Sequence, residues 1–232
     1  MAFVWNGEKQ DNFDIYVKLI GTAAPPLRLT TDPSPDFSPA WSPDGRFIAF
    51  LRLGPQGTAS VLLIPALGGP ERKLAAIATG FTSMPSPYLE WSPDGKWLVV
   101  SDRVSRQDPA ALYLLSPESG EKRTLTFPPA HSLGDSAPAL SPDGHSLVFS
   151  RDDDTPVGGL YLLALGAGLK PVGEPQQLTM GNRGFGRPTW TPDGRGIVFS
   201  FGGFGQQGLW RDRCISAWQT APRSATARIS WH

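Results

Sequence analysis

The sequence predicts an all-β fold, a β-propeller of four-stranded antiparallel blades, and three observations support this prediction. A five-residue turn motif returns four times at a period of about 50 residues. The same succession of short apolar runs follows each copy. Glycine and proline supply 26 and 24 of the 232 residues, and 40% of the chain is apolar, so turns and core material are both abundant.

The motif reads Trp-Ser-Pro-Asp-Gly, with leucine replacing tryptophan in the third copy and threonine replacing serine in the fourth. Its glycines lie 50, 49 and 50 residues apart. Proline presets φ near −65°, aspartate suits the next turn position, and glycine accepts the positive φ that closes a bulged hairpin. We therefore predict four structural hairpin turns, formed by Pro43, Asp44, Gly45, Pro93, Asp94, Gly95, Pro142, Asp143, Gly144, Pro192, Asp193 and Gly194.

Each turn leads into an apolar run, namely 47–51, 97–100, 147–149 and 197–199. Because these runs are nearly continuous in apolarity, we expect strands covered on both faces. A second set of runs follows at 61–64, 112–115, 160–163 and 209–210, and a more polar set at 72–74, 123–126 and 177–179. Together with the strand that leads into each turn, as at Phe37–Trp41, these runs make four strands per period, which describes a propeller blade.

The predicted propeller fills residues 1–210 with about four and a half blades of an incomplete ring. Three blades are complete, at about 37–75, 87–126 and 137–179, and partial blades lie at about 2–30 and 187–211. We align Ala2–Trp5 with Ile48–Leu51, so that the first repeat lacks its first strand and its turn.

The tail at 211–232 departs from the repeat. It holds the only cysteine, Cys214, and four arginines against one aspartate. Two interpretations stay open: a frameshift or truncated gene model, or a divergent strand followed by a disordered end. We expect an aberrant or disordered tail.

The motif W-S-P-D-G, followed by an apolar strand, then L-Y-L-L, then L-T, resembles the WD40-like repeat of TolB-type β-propellers over about residues 1–210. The segment from Phe3 to Lys18 is most similar to the C-terminal propellers of bacterial regulators. In those regulators the propeller follows a Ser/Thr kinase or winged-helix region. The resemblance implies six or seven blades in the intact domain and a role in binding partners or regulating neighbouring domains.

Composition argues against several functional classes. The formal net charge is zero, which disfavours a nucleic-acid partner, and no apolar run approaches the ~20 residues of a membrane span. The start of the sequence lacks the pattern of a signal peptide. A single cysteine fits the cytoplasm and the periplasm equally.

The sequence also gives little support for a catalytic, cofactor-binding or metal-binding site. We therefore predict that the chain is not an enzyme and needs no cofactor. There is no G-x-S-x-G elbow, and His131, His145 and His232 lie in a loop, beside a turn and at the end of the sequence. The glycines of 181–186 and 202–205 lack a phosphate loop's strand-to-helix setting. The acidic run 151–154 lacks an EF-hand's spacing and reads as a solvated loop or a site of ion pairing at the blade edge. Trp97, near Arg103 and Arg106, is expected to pack between blades.

The predicted function is a non-catalytic propeller module that recognises a protein or small ligand as part of a larger regulatory protein. The alternative is the gating propeller of a prolyl-oligopeptidase-type serine peptidase without its hydrolase domain. For recognition, loops 53–58, 102–110 and 152–158 are the candidates, because they share one repeat position where loops of several blades converge.

Overall fold

The computed structural model describes residues 1–78, 89–152, 158–179, 185–201, 208–213 and 227–228, and the side chains of all of these except 185, 186 and those from 201 onward. They form five antiparallel sheets, numbered 1 to 5 in chain order. Sheet 1 contains β1 (Ala2–Trp5), β2 (Asp14–Val17) and β3 (Leu27–Arg28). Sheet 2 contains β4 (Asp36–Trp41), β5 (Phe47–Leu53), β6 (Thr58–Pro65) and β7 (Arg72–Ala78). Sheet 3 contains β8 (Leu89–Trp91), β9 (Leu98–Asp102), β10 (Ala111–Leu115) and β11 (Lys122–Thr124).

Sheet 4 contains β12 (Gly134–Leu140), β13 (Ser146–Asp152), β14 (Gly159–Gly166) and β15 (Lys170–Gln177). Sheet 5 contains β16 (Phe185–Trp190), β17 (Gly196–Phe201), β18 (Gly208–Arg213) and β19 (Ala227–Arg228). Two short 3-10 turns, Pro55–Gly57 and Ala167–Leu169, complete the described elements. In every sheet the strands pair in the order of the chain, so each sheet is a meander.

The sheets stand side by side with their first strands adjacent. β4 contacts β8, β8 contacts β12, and β12 contacts β16, which places these strands on the inner side of the array. Such an arrangement of four-stranded meanders is that of propeller blades, and the predicted all-β propeller is confirmed.

Four apolar clusters hold the sheets together, one at each interface between neighbours. The second strands show how both faces contribute. In β9, Leu98 and Val100 pack toward sheet 2 while Val99 packs toward sheet 4, and all three side chains are fully buried. The continuous apolar runs are thus strands covered on both sides, as predicted.

The same group of polar residues recurs at two of the interfaces: an aspartate of the first strand accepts hydrogen bonds from an arginine of the second strand and from a threonine of the preceding sheet. We call this group the polar latch. Asp36, at the start of β4, receives two hydrogen bonds from Arg52, with Nε to Oδ1 at 2.8 Å and Nη2 to Oδ2 at 2.9 Å, and a further one from the Thr30 hydroxyl of sheet 1. The backbone N–H of Asp36 donates to the carbonyl oxygen of Phe13 at 2.7 Å. The latch ties sheet 2 to sheet 1 through both side chain and backbone.

The same latch joins sheets 3 and 4. Asp135 accepts from Arg151, with Nε at 2.6 Å and Nη2 at 2.9 Å, and from the Thr126 hydroxyl, while its N–H donates to Ala110 at 2.6 Å. Ion pairing is therefore present at these strand ends, where Arg151 pairs with Asp135 and Asp102 pairs with Lys122.

The first repeat requires a correction of one residue. The N–H of Ile15 donates to the Thr30 hydroxyl as that of Leu160 donates to Thr179, so these two positions are equivalent. Their partners across the sheet are Val4 and Ser150. The structure therefore aligns Ala2 and Phe3 with Ala49 and Phe50, and the alignment of Ala2 with Ile48 is wrong.

The last sheet extends beyond residue 211, the predicted end of its blade. β18 runs to Arg213, and Ala227 and Arg228 of the tail pair with Arg211 and Trp210. Some predictions concern residues that the structure does not describe. These residues are Cys214, His232, the acidic residues 153 and 154, and the glycine-rich segments 181–184 and 202–207.

Candidate functional site

The four predicted turns share one geometry, which explains every position of the motif. Gly45, Gly95, Gly144 and Gly194 have φ between +67° and +73°, a conformation that penalises a Cβ. The serine hydroxyl donates to the aspartate, from Ser42 Oγ to Asp44 Oδ1 at 2.6 Å, and accepts the N–H of Phe47 at 2.9 Å. Asp44 Oδ1 also accepts the N–H of Arg46 at 3.0 Å.

These hydrogen bonds lower the pKa of the aspartate carboxyl. The Ser42 hydroxyl, followed by the Arg46 amide, holds the pKa of Asp44 below its ordinary value, and Ser141 and the His145 amide do the same for Asp143. Asp44 and Asp143 are therefore anionic near neutral pH. Turn propensity alone explains the proline, aspartate and glycine of the motif, whereas the role of the serine is evident only from its hydrogen bonds in the structure.

Neighbouring turns are connected by the motif's tryptophan. Trp91 Nε1 donates to the carbonyl oxygen of Ala40 at 3.0 Å, and Trp190 Nε1 donates to that of Ala139 at 2.9 Å. Each indole thereby ties its sheet to the first strand of the preceding one.

At the interface of sheets 3 and 4 this bond is reversed. Leu140 replaces the tryptophan, and its backbone N–H donates to Glu90 Oε2 at 3.2 Å. Burial raises the pKa of Glu90 to about 8, partly offset by this hydrogen bond. A buried carboxyl thus occupies a position that other first strands give to Ala40, Ala139 or Thr189.

A cleft of about 600 Å³ opens between sheets 2 and 3 at the end that carries the turns. It is lined by Ser42, Pro43, Asp44, Phe47, Leu63, Arg72, Trp91, Pro93, Asp94, Gly95, Pro117 and Glu118. The cleft is the candidate functional site.

The chain matches the model of the TolB β-propeller domain over residues 1–217. It belongs to the TolB β-propeller domain family.

Relatives of this propeller include an uncharacterized protein of Agrobacterium fabrum, 31% identical over 176 residues, which covers 76% of this chain and 54% of the relative. An uncharacterized peptidase of Bacillus subtilis is 32% identical over 148 residues, covering 49% of this chain and 21% of the peptidase. The chain thus spans about half the length of the first relative and a fifth of the second.

Among solved structures, a protein of Agrobacterium tumefaciens assigned as a TolB superposes with a TM-score of 0.64 at 27% identity, covering 90% of this chain and 66% of the other. An oligogalacturonate lyase of Vibrio parahaemolyticus gives a TM-score of 0.58 at 18% identity, covering 89% of this chain and 56% of the lyase. The lyase likeness shows the propeller fold alone. The closer likeness to propellers of kinase and winged-helix regulators stays a prediction.

The cleft of this propeller combines an apolar floor with a charged rim. Phe47, Leu63 and Trp91 supply aromatic and aliphatic surface, while the exposed Asp44, Arg72, Asp94 and Glu118 supply the charged groups of the lining. Apolar surface with a few placed charges is typical of ligand sites.

The cleft lining carries no arrangement for nucleophilic catalysis. Its single hydroxyl, that of Ser42, is engaged by Asp44 and by the Phe47 amide, and the lining contains no histidine. His131 and His145 are exposed and lie outside the cleft. Among the described residues, no three His, Cys, Asp or Glu side chains converge on a metal position, and no helix is long and apolar enough to cross a bilayer.

The loops proposed from the sequence lie at the opposite end. Residues 54–57 and 103–110 connect second and third strands, so they are remote from the turns that border the cleft. Arg106 donates to the carbonyl oxygen of Gln56, which joins these two loops. Most of the third loop, 153–157, lies outside the described residues. Trp97 packs against the cluster between sheets 3 and 4, as expected.

Proposed function

We propose that this chain is a non-catalytic recognition module that binds a protein segment or a small ligand in the cleft between sheets 2 and 3. The observation that supports the proposal is the cleft itself, about 600 Å³ in volume, with Phe47 and Trp91 inside and charged groups at its rim. That volume suits one or two side chains of a partner or a small organic ligand.

The walls of the cleft are preorganised, which favours recognition. The indole of Trp91 is fixed by its hydrogen bond to Ala40, and Asp44 and Asp94 are fixed by Ser42 and Ser92. A site that is already in its binding conformation loses little conformational entropy when a ligand enters.

Photo-crosslinking tests this proposal in the complete gene product. A benzoylphenylalanine at Glu118, on the cleft rim, should capture a partner, whereas the same group at Val172, exposed on β15, should not. Adducts of equal yield from both positions would contradict the cleft as the binding site.

A second candidate function, the gating propeller of a serine peptidase, is favoured by the 32% identity to the uncharacterized peptidase of Bacillus subtilis. A fluorophosphonate probe applied to the complete gene product separates the two. Labelling of a serine outside this chain supports gating. An unlabelled product that still gives the Glu118 adduct supports recognition alone.

A further inference from the structure

The charges of the cleft between sheets 2 and 3 indicate the class of ligand that it takes. Its lining holds three exposed carboxylates and one exposed cation, namely Asp44, Asp94, Glu118 and Arg72. Within the described part of the chain, none of these four side chains is in an ion pair. Arg46 and Lys96, two residues after the turn aspartates, do not line the cleft. The lining is therefore anionic, and a cationic group complements it.

The repeat shows what the protein itself places at the equivalent position of the next sheet. Arg72 pairs with Leu63 across sheet 2, and Arg123 pairs with Leu114 across sheet 3. Both leucines oppose the residue that lies four positions after the turn glycine. Arg72 and Arg123 therefore occupy equivalent positions in their sheets.

The aromatic rings beside these arginines are equivalent as well. Phe47 and Trp97 each lie two residues after the turn glycine of their sheet. In sheet 3 the Arg123 guanidinium carbon lies 3.9 Å from the ring centroid of Trp97, which is a close cation–π contact. In sheet 2, where the cleft opens, Arg72 lies over no ring of the described residues. The stack that sheet 3 makes internally is thus not made by the equivalent arginine of sheet 2.

The Phe47 ring is suited to a guanidinium. Arg46 Cζ lies 5.6 Å from its centroid, within the ~6 Å range of a cation–π contact, so the ring already attracts one such group from outside the lining. A guanidinium stacks on an aromatic face through its plane and donates to carboxylates through its fork, whereas an ammonium is a point charge. A lining that combines an aromatic ring with carboxylates therefore favours a guanidinium.

We propose that the cleft binds an arginine side chain presented by a segment of a partner protein. The guanidinium stacks on Phe47, as that of Arg123 stacks on Trp97, and donates to the carboxylates of the lining. A polypeptide is the source of the group, because the equivalent position of sheet 3 is filled by a side chain carried on a strand. This inference rests on the proposed function, since both place the partner in the same cleft.

A capped tripeptide, acetyl-Gly-Arg-Gly-amide, is the probe, and the same peptide with citrulline in place of arginine is its neutral counterpart. Added to the complete chain at up to about 10 mM, the arginine peptide should shift the amide resonances of Phe47 and Gly95 in the cleft, but not that of Val172, exposed on β15. The citrulline peptide should bind about tenfold more weakly, because it keeps the shape and lacks the charge.

Two variants of the lining should change the affinity in opposite directions. Glu118→Gln removes a carboxylate and should weaken binding of the arginine peptide about threefold, whereas Arg72→Gln removes the competing cation and should strengthen it about threefold. Glu174→Gln is the matched control, because Glu174 is an exposed carboxyl of β15 outside the cleft, and it should leave the affinity unchanged. Circular dichroism checks that all three variants fold.

Equal affinity for the arginine and citrulline peptides would overturn the inference. Affinity changes of the reversed sign in Glu118→Gln and Arg72→Gln would also overturn it and would assign the cleft to an anionic group. If Phe47 and Gly95 do not shift while the complete gene product still gives the adduct at position 118, this inference fails and the proposed function stands. Loss of both signals would contradict the proposed function as well.

Discussion

The serine of the turn motif is a stabilising residue, because its hydroxyl both donates and accepts. In sheet 3, Ser92 Oγ donates to Asp94 at 2.6 Å and accepts the N–H of Trp97 at 2.9 Å. We expect Ser92→Ala to lower the free energy of unfolding by about 1–2 kcal/mol, since it leaves a buried donor unsatisfied. Urea unfolding measures this. Ser92→Thr is the control, because Thr191 makes the same bonds in sheet 5, and an equal loss in both variants would contradict the explanation.

Glu90 predicts a pH dependence with a definite sign. Its pKa is about 8 in the folded protein against 4.5 in the unfolded chain, so folding favours the protonated form. Its contribution to stability is greatest below about pH 4.5 and is lost as the pH rises to about 8.

Glu90→Gln should therefore be more stable than the parent by about 1–3 kcal/mol at pH 8, and no more stable at pH 4.5. The amide oxygen of the introduced glutamine still accepts from the Leu140 N–H, so the substitution changes only the titration. Urea midpoints across this range are the measurement, and a difference that does not vary with pH would contradict burial as the cause.

At the scale of the strand pair, the Asp135–Arg151 ion pair should make a measurable contribution to the free energy of unfolding. Both side chains are nearly inaccessible, at 0% and 9% exposure. Arg151→Met should lower the free energy of unfolding by about 3–5 kcal/mol, because it leaves the Asp135 carboxylate buried without its cation.

Arg28→Met is the matched control, because Arg28 pairs with Asp14 while remaining 37% exposed. A similar loss of unfolding free energy in both variants would show that burial of the arginine does not determine how much the ion pair contributes to stability. In sheet 5 the equivalent positions of the backbone register are occupied in the sequence by Phe185 and Phe201. Asp135→Phe together with Arg151→Phe should therefore recover stability relative to Arg151→Met alone.

The sequence predicted the elements well and the contacts between them poorly. A turn such as that at Pro43, Asp44 and Gly45 is encoded within a few residues, so its period locates the hairpins and the apolar runs locate the strands. The first repeat lacks the turn motif that fixes the alignment of the other repeats, and its predicted alignment with the second repeat is therefore wrong by one residue. The cleft and the Glu90–Leu140 bond each join residues about 50 positions apart in sequence, and no local pattern marks which repeats will diverge.

In the whole molecule, each sheet is stabilised by its neighbours. Sheets 2, 3 and 4 contribute to apolar clusters on both faces, whereas sheet 1 contributes to the one it shares with sheet 2. In an array with nearest-neighbour contacts, local stability follows the number of covered faces. Hydrogen exchange should therefore be slowest in β9, around the fully buried Leu98, Val99 and Val100, and faster in β1–β3.

Two core truncations test whether this coupling is local. Phe50→Ala removes a fully buried ring from the cluster between sheets 1 and 2, and Phe149→Ala removes one from the cluster between sheets 3 and 4. Each should cost about 3–5 kcal/mol of global stability. Exchange mass spectrometry should show Phe50→Ala speeding exchange in β1–β3 while β14 keeps its protection, and Phe149→Ala doing the reverse. Equal acceleration across all sheets in both variants would instead mean that the array unfolds as one cooperative unit, with no gradient from the inner sheets to the first.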